Sequence, residues 1–235
     1  MTAPRRFGSV QLASYLGLEQ WQLERAVSDG LIPGPDRSRG RWSAPIADAA
    51  LAGIGGIRAA AGSIPDLGAV RAAGVLSRRL GLEVTADGVE ELARRDLLSI
   101  IGSYKQHALY DGRALEAFTD TGAAAEATRT GRLRTADQAA GYLRVRRSDL
   151  NHLTRSGVLE PVKYGHGPWD RRNETSVPLY RTGDLDQLTA RPDIDWAAVR
   201  ATLPGRRSPL ADLAAAEAVL AALAGAAAAA GRRPR

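Results

Sequence analysis

RTADQAAGYLRVRRSDLNHLTRSGVLEP, residues 134–161, sets Ala139, Ala140 and Leu143 on one stripe, breaks at Arg144-Val145, and resumes with Leu150 and Leu153. Apolar residues three and four apart share a helix face, so the spacing predicts two short amphipathic helices meeting at a tight turn. Gly157 stops the second helix and Val158-Leu159 open a strand. KYGHGPWDRRNETSVPLY, residues 163–180, then makes a long basic loop returning through Leu179-Tyr180. TGDLDQL starts another helix, with Thr182 as its expected N-cap and acidic residues in its first turn.

The same plan recurs upstream. Residues 9–32 carry Val10, Ala13 and Leu16, then Leu18, Leu23, Ala26 and Val27, with Gly17 between the sets. Gly30 ends the second helix, Leu31-Ile32 begin an extended segment, and PGPDRSRGRWS (33–43) suits a hairpin with an exposed, positive tip. A weaker copy fills residues 67–118: a helix through Val70, Ala73 and Leu76 to Leu80, a helix through Val89 and Leu92, Leu97-Leu98, the loop SYKQH, and Leu109-Tyr110 before DGRALEAF. The shared order is helix, turn, helix, strand, hairpin loop, strand, helix. Three copies describe an array of small domains.

Composition agrees with small domains, since only 12 of 235 residues are aromatic. The absence of Cys excludes disulfide scaffolds, Cys-ligated zinc and thiol nucleophiles, and three His leave little for a triad or a metal site. A net charge of +6 suits a polyanionic partner. Arg outnumbers Lys 30 to 2, which fits bidentate phosphate and base-edge recognition and equally fits a GC-rich coding sequence. Placement is more informative than the total. Residues 1–43 carry +2, residues 134–182 carry +4, and residues 67–121 carry −1.

The first copy resembles the winged helix-turn-helix domain of the MerR family, through Leu12-Ala13, Gly17-Leu18, Leu23, Gly30-Leu31-Ile32-Pro33 and Gly40-Arg41-Trp42-Ser43. The third is similar to excisionase-type domains, through Ala139-Ala140, Leu143, Val145-Arg146-Arg147-Ser148, Gly157-Val158-Leu159-Glu160-Pro161 and Leu179-Tyr180-Arg181. The resemblance implies a mainly α fold with short β-hairpin wings, arranged as tandem winged helix-turn-helix domains. It implies the DNA-binding unit only, because no long dimerising helix or Cys-based sensor of the MerR kind is visible.

In such a fold the second helix enters the major groove and the wing rests on the adjacent backbone or minor groove. In the first copy this directs Gln20, Trp21, Gln22 and Arg25 to DNA, with Gln22 suited to adenine and Arg25 to guanine. The alternative is that Trp21 packs in the core and the glutamines are merely solvated. Arg37, Arg39 and Arg41 of the first wing need only charge and reach to meet phosphates. In the third copy the corresponding residues are Arg146, Arg147, Ser148, Asn151, His152 and Arg155, with Lys163, Arg171 and Arg172 in the wing. This is the stronger site. The middle copy instead places Asp87, Glu90 and Glu91 where phosphates would repel them, which suits a spacer or a protein-contact module; Lys105 in its wing argues the other way.

The resulting division is a MerR-like domain over 1–62, a degenerate middle domain over 63–128, an excisionase-like domain over 129–190, and a helical, Ala-rich extension with a basic tail over 191–235. Within 1–62, residues 44–62 read as one helix behind the first wing. Leu210, Leu213, Leu220 and Leu223 recur at heptad-like intervals, so a homodimer through this last helix is one expectation and a cap on the third domain the other. No secretory or membrane-spanning segment is expected, and no P-loop, dinucleotide fingerprint, metal-ligand spacing or nucleophile motif appears. The expectation is a non-enzymatic double-stranded DNA-binding protein without cofactor or metal, cytoplasmic and nucleoid-associated. It acts first as a transcription regulator, alternatively in plasmid, phage or chromosome maintenance, or as a protein-interaction scaffold.

Overall fold

The computed structural model describes residues 6–166 and 176–211, which divide into two compact units meeting between Ala124 and Ala125. The chain is mainly helical, with small antiparallel sheets.

The first unit contains β1 (Arg6–Phe7), α1 (Ser9–Leu16), α2 (Gln20–Ser28), β2 (Trp42–Ser43), α3 (Ala44–Ala52), α4 (Ile54–Ala61), β3 (Leu67–Gly68), α5 (Ala69–Leu80), α6 (Ala86–Arg94), β4 (Ile100–Tyr104), β5 (His107–Tyr110) and α7 (Gly112–Ala117). The unit boundary falls inside α8 (Thr121–Gly131). The second unit continues with β6 (Leu133–Thr135), α9 (Ala136–Leu143), α10 (Arg147–Arg155), β7 (Lys163–His166), β8 (Ser176–Arg181), α11 (Thr182–Thr189) and α12 (Trp196–Ala201).

A strand, two helices, a hairpin and a helix therefore follow one another in both the middle and the third repeat. Their sheets share one topology, β3-β5-β4 and β6-β8-β7, with the strand preceding the helices paired to the returning arm of the hairpin. The first repeat is reduced. β1 pairs with β2, but the expected hairpin is only a bridge between Arg37 and Arg41, and Leu31-Ile32 form no strand. Pro33 and Pro35 lack the N–H groups that a ladder needs. Side chains close the loop instead: Trp42 Nε1 donates to the Pro33 carbonyl at 2.8 Å, and Asp36 accepts from the Ser43 N–H at 2.8 Å.

Each pair of helices meets where the sequence pattern breaks. Gly17, Gly81 and Arg144 end the first helices in the left-handed conformation, with φ of 62°, 68° and 57°. The Leu18 and Val145 N–H groups then reach back to the Ala13 and Ala140 carbonyls at 2.9 and 3.0 Å. In the first repeat Leu12, Leu16, Leu23, Ala26, Ile32 and Trp42 form the core with Ala47 and Ile57. In the second unit Ala139, Leu143, Leu150, Leu153 and Tyr180 pack with Leu185, Trp196, Val199 and Leu210.

Several local expectations are corrected. Val10 and Val70 are 72% and 77% exposed and belong to no core stripe. The expected single helix over 44–62 is two, broken at Gly53. The loop SYKQH is mostly strand, leaving a two-residue turn at Lys105-Gln106 with φ of 48° and 67°. Thr182 is not a cap but the first helical residue, buried, with its hydroxyl donating to the Arg132 carbonyl and accepting from Arg134 Nε. Leu210 packs into the second unit's core, whereas Leu213, Leu220 and Leu223, on which the expectation of a homodimer rests, lie outside the described residues, as does the basic tail.

β4 is an outer strand with Ile100, Ile101 and Tyr104 exposed. Its register shifts between Ile100 and Gly102, so Ile101 is an extra residue that twists the edge. That bulge and Lys105 at the tip blunt it against pairing with another strand.

Two glycines test the packing. A Cβ on Gly112, the first residue of α7, would sit 1.9 Å from the Ile64 carbonyl oxygen, whereas one on Gly141, inside α9, would meet nothing within 4 Å. Gly112→Ala is expected to destabilise the first unit by about 3 kcal/mol. Gly141→Ala should stabilise the second by roughly 0.5–1 kcal/mol, because alanine restricts the unfolded chain and favours the helix. Denaturant unfolding of each variant measures both.

Candidate nucleic-acid interface

The second helices of the three repeats begin after Glu19, Thr85 and Arg146. Counted from these caps, positions 3, 4, 6 and 7 turn inward. They are Gln22, Leu23, Arg25 and Ala26 in α2, and Gly88, Val89, Glu91 and Leu92 in α6, all buried. In α10 they are Asp149, Leu150, His152 and Leu153, of which only His152 is half-buried. Positions 1, 2, 5 and 9 turn outward. This shared phase determines which of the expected DNA-contacting residues are available.

In α2 the two readers assigned from sequence are structural. Gln22 Oε1 accepts from the Glu19 N–H at 3.0 Å, and Gln22 Nε2 donates to the Gly62 carbonyl at 2.9 Å. The Arg25 side chain is only 7% exposed. Its guanidinium donates to the Ala61 and Ile64 carbonyls at 2.5 and 3.2 Å, pairs with Asp66, and lies over the Trp21 ring. Asp66 also accepts from the Gly112 N–H at 3.0 Å, so one carboxylate links α2 to the start of α7. The physical reason is helical phase: Gln22 and Arg25 are three apart, flanking Leu23 and Ala26 on the inner face. Trp21 is half-buried under that guanidinium and is neither core nor free surface. Gln20 is half-buried, donating from Nε2 to Glu24 at 3.0 Å, while its Oε1 is buried without a partner among the described residues. The outward face of α2 is thus Gln20, Trp21, Glu24 and Ser28, which carries no cation. Arg37, Arg39 and Arg41 remain exposed on the loop, with Arg39 at its tip in the left-handed conformation.

In α6 the same phase buries Glu91, one of the three carboxylates expected on the surface. Its two oxygens receive Arg94 Nε and Nη2 at 2.7 and 2.6 Å and Arg95 Nε at 2.8 Å. Only Asp87 and Glu90 stay on the outer half of the helix.

α10 differs. Arg147, Ser148 and Arg155 are exposed and Asn151 half-buried, at positions 1, 2, 9 and 5. Arg147, Asn151 and Arg155 follow one another at intervals of four, so they form a single stripe. Arg147 Nη1 donates to Asn151 Oδ1 at 2.6 Å, and its Nε lies 3.1 Å from Asp137 of α9. Lys163 is exposed on β7, and exposed Arg144 at the inter-helix turn adds a cation that the sequence reading assigned only to the turn. Arg171 and Arg172 lie outside the described residues.

Arg146, expected as a reader, is committed elsewhere. Its Nε and Nη2 donate to the two oxygens of Asp149 at 2.9 and 2.8 Å, and its Nη1 to the Leu203 and Arg206 carbonyls at 3.0 Å each. Asp149 is fully buried and also accepts from the Arg146 N–H at 3.0 Å, starting α10. Burial alone would raise the Asp149 pKa, but hydrogen bonds from the Arg146 guanidinium, the Ser208 hydroxyl and the Arg146 N–H hold it below the ordinary 3.8.

The surface depressions around Arg6, Val10 and Tyr15 and around Gly157, Glu160 and Asp184 are shallow and converge no reactive groups. Among the described residues no cluster of three or more His, Asp or Glu could hold a metal, and no helix is long and apolar enough to cross a membrane. No protein-family model, curated protein or solved structure matches the chain.

Two charge pairs give testable consequences. Arg25→Ala strands Asp66 and two carbonyls, and is expected to cost the first unit about 3 kcal/mol in thermal or urea unfolding. Because the folded pKa of Asp149 is depressed, its contribution is complete above about pH 4 and lost as pH falls through the folded value. Asp149→Asn should therefore destabilise the second unit at pH 7 by about 3 kcal/mol and flatten part of its acid limb in unfolding curves from pH 6 to 3.

Proposed function

We propose that the chain is a non-enzymatic, sequence-specific double-stranded DNA-binding protein made of tandem winged helix-turn-helix modules, with the third as its principal reader. The observation that carries this reading is the outward face of α10. At the four positions where α2 shows Gln20, Trp21, Glu24 and Ser28, and α6 shows Ala86, Asp87, Glu90 and Arg94, α10 shows Arg147, Ser148, Asn151 and Arg155. A nine-residue helix fits the major groove, where Arg pairs with guanine O6/N7 and Asn or Ser with base edges. Lys163 on the hairpin and Arg144 at the turn supply backbone contacts on either side of that helix.

The first module contributes charge through Arg37, Arg39 and Arg41, and base reading through little more than Gln20 and Trp21. Its role is phosphate attachment, which raises affinity and leaves sequence choice to the third module. Gene regulation is the use that best suits two unequal attachments on one chain, since a second, weaker contact raises occupancy at a chosen site. The same chemistry would serve a plasmid or chromosome-maintenance site. The middle module, with Asp87 and Glu90 outward and Ile100, Ile101 and Tyr104 exposed, acts as a spacer or a protein contact.

Genomic fragments captured by the purified full chain, followed by titration of the enriched fragment against salt, test the reading. Tight binding with a steep salt slope is expected, and weak binding to every fragment alike would overturn it. Arg147→Ala and Arg155→Ala should each weaken the enriched site about tenfold or more with unchanged melting temperature. Arg37→Ala should weaken all DNA alike and reduce the salt slope by about 0.9. Arg25→Ala should lower melting temperature and leave the affinity of the folded fraction intact.

A further inference from the structure

We propose that Asp137 is a positioning residue for base reading: with Asn151 it fixes the Arg147 guanidinium as a guanine-reading fork and penalises loose contact with phosphate. The inference rests on the DNA-reading role of α10 and deepens it by naming the base class and the residue that enforces it.

Arg147 is held by one hydrogen bond and faces one counter-charge. Nε faces Asp137 Oδ1 at 3.1 Å, and Nη1 donates to Asn151 Oδ1 at 2.6 Å. Of the five N–H groups of an arginine, Asn151 takes one on Nη1 and Asp137 stands against Nε. The second Nη1 hydrogen and those on Nη2 are left to donate, and a pair of them matches guanine O6 and N7. Holding an arginine side chain in place beforehand reduces the rotamer entropy that binding must supply.

The pairing has no structural purpose to explain it. Asp137 is 88% exposed and Arg147 44%, so as a surface ion pair it contributes almost nothing to folding. Its cost falls on the interface instead, because a carboxylate beside the reading helix repels the phosphates that any DNA sequence presents. That repulsion is common to all sequences, so it lowers bulk affinity and leaves discrimination to the held guanidinium. Asn151 is altered as well. With Oδ1 turned to Arg147, it offers its Nδ2 donors, so the pair seeks acceptors and favours guanine over the adenine that an isolated Asn would read.

Selection of the full-length protein against random-sequence duplexes, for wild type, Asp137→Ala, Asp137→Asn and Arg147→Ala, tests this. Wild type is expected to enrich a motif containing guanine. Arg147→Ala should lose about tenfold or more of discrimination at one guanine. Asp137→Ala should lose roughly three- to tenfold at the same position while binding bulk DNA more tightly at low salt. Asp137→Asn, which removes the charge that makes the contact, should behave as Asp137→Ala does. Unchanged discrimination in Asp137→Ala, or tighter binding to all sequences by one common factor, overturns the inference. So does a drop in melting temperature that accompanies the loss. Failure of wild type to enrich any motif overturns the DNA-reading role itself, before the variants are compared.

Discussion

Helices of eight and nine residues do not hold together alone in water, because too few hydrogen bonds form to offset nucleation. α1 with α2, and α9 with α10, persist because a left-handed residue folds each second helix back onto the first and buries a shared stripe. Glycine supplies that conformation at Gly17 and Gly81 without steric penalty. Arg144 adopts it with a Cβ, at a cost of roughly 1–2 kcal/mol, and the second unit carries that cost against the burial of Leu143, Leu150 and Leu153. Once the reversal is set, the phase of the second helix follows, and with it the direction of every side chain on that helix.

That phase places two non-apolar slots against the interior, and each repeat fills them differently. The first repeat has Gln22 and Arg25, the second Gly88 and Glu91, the third Asp149 and His152. A charge that leaves water must find a partner nearby, or its desolvation exceeds anything that packing returns. Hence Arg25 takes Asp66 and the Ala61 and Ile64 carbonyls, Glu91 takes Arg94 and Arg95, and Asp149 takes Arg146. Arg25 thereby ties α2 to Asp66, and Arg146 ties α10 to the Leu203 and Arg206 carbonyls, whereas Glu91 pairs within its own helix end. Arg25 and Arg146 are withdrawn from the surface in this way, so the count of basic residues in a repeat overstates what a polyanion would meet.

The helices were legible from apolar spacing, down to the turns at Gly17 and Arg144, and so were the returning arms at Leu109-Tyr110 and Leu179-Tyr180; the outgoing arms begin at Ile100 and Lys163, and Val158-Leu159, expected to open a strand, form none. The missing hairpin of the first repeat was legible too, had Pro33 and Pro35 been weighed as residues unable to ladder. The inward turn of Gln22 and Arg25 was readable in principle, since both sit three or four residues from inward-facing neighbours. A polar residue on an inner face breaks the apolar pattern, and only its partner explains its place there. Asp66 lies 41 residues from Arg25, and nothing local marks the two as a pair. Arg146 misled for a related reason. Next to Arg147 in sequence it looks equivalent, yet one step around the helix separates a capping, half-buried guanidinium from an exposed one.

What distinguishes the repeats is therefore confined to a few outward positions on a common scaffold. Changing Gln20, Trp21, Glu24 and Ser28 into Arg147, Ser148, Asn151 and Arg155 requires no change in backbone, cap or core, because the inner and outer faces of a helix are independent to first order. The outer face is free to diverge toward cations, carboxylates or apolar contact while the inner slots keep the fold. The +6 total then measures little. A polyanion meets a local potential set by charges within about a Debye length, near 8–10 Å, so what counts is the few side chains on each outer face: Arg147 and Arg155 on α10, Asp87 and Glu90 on α6.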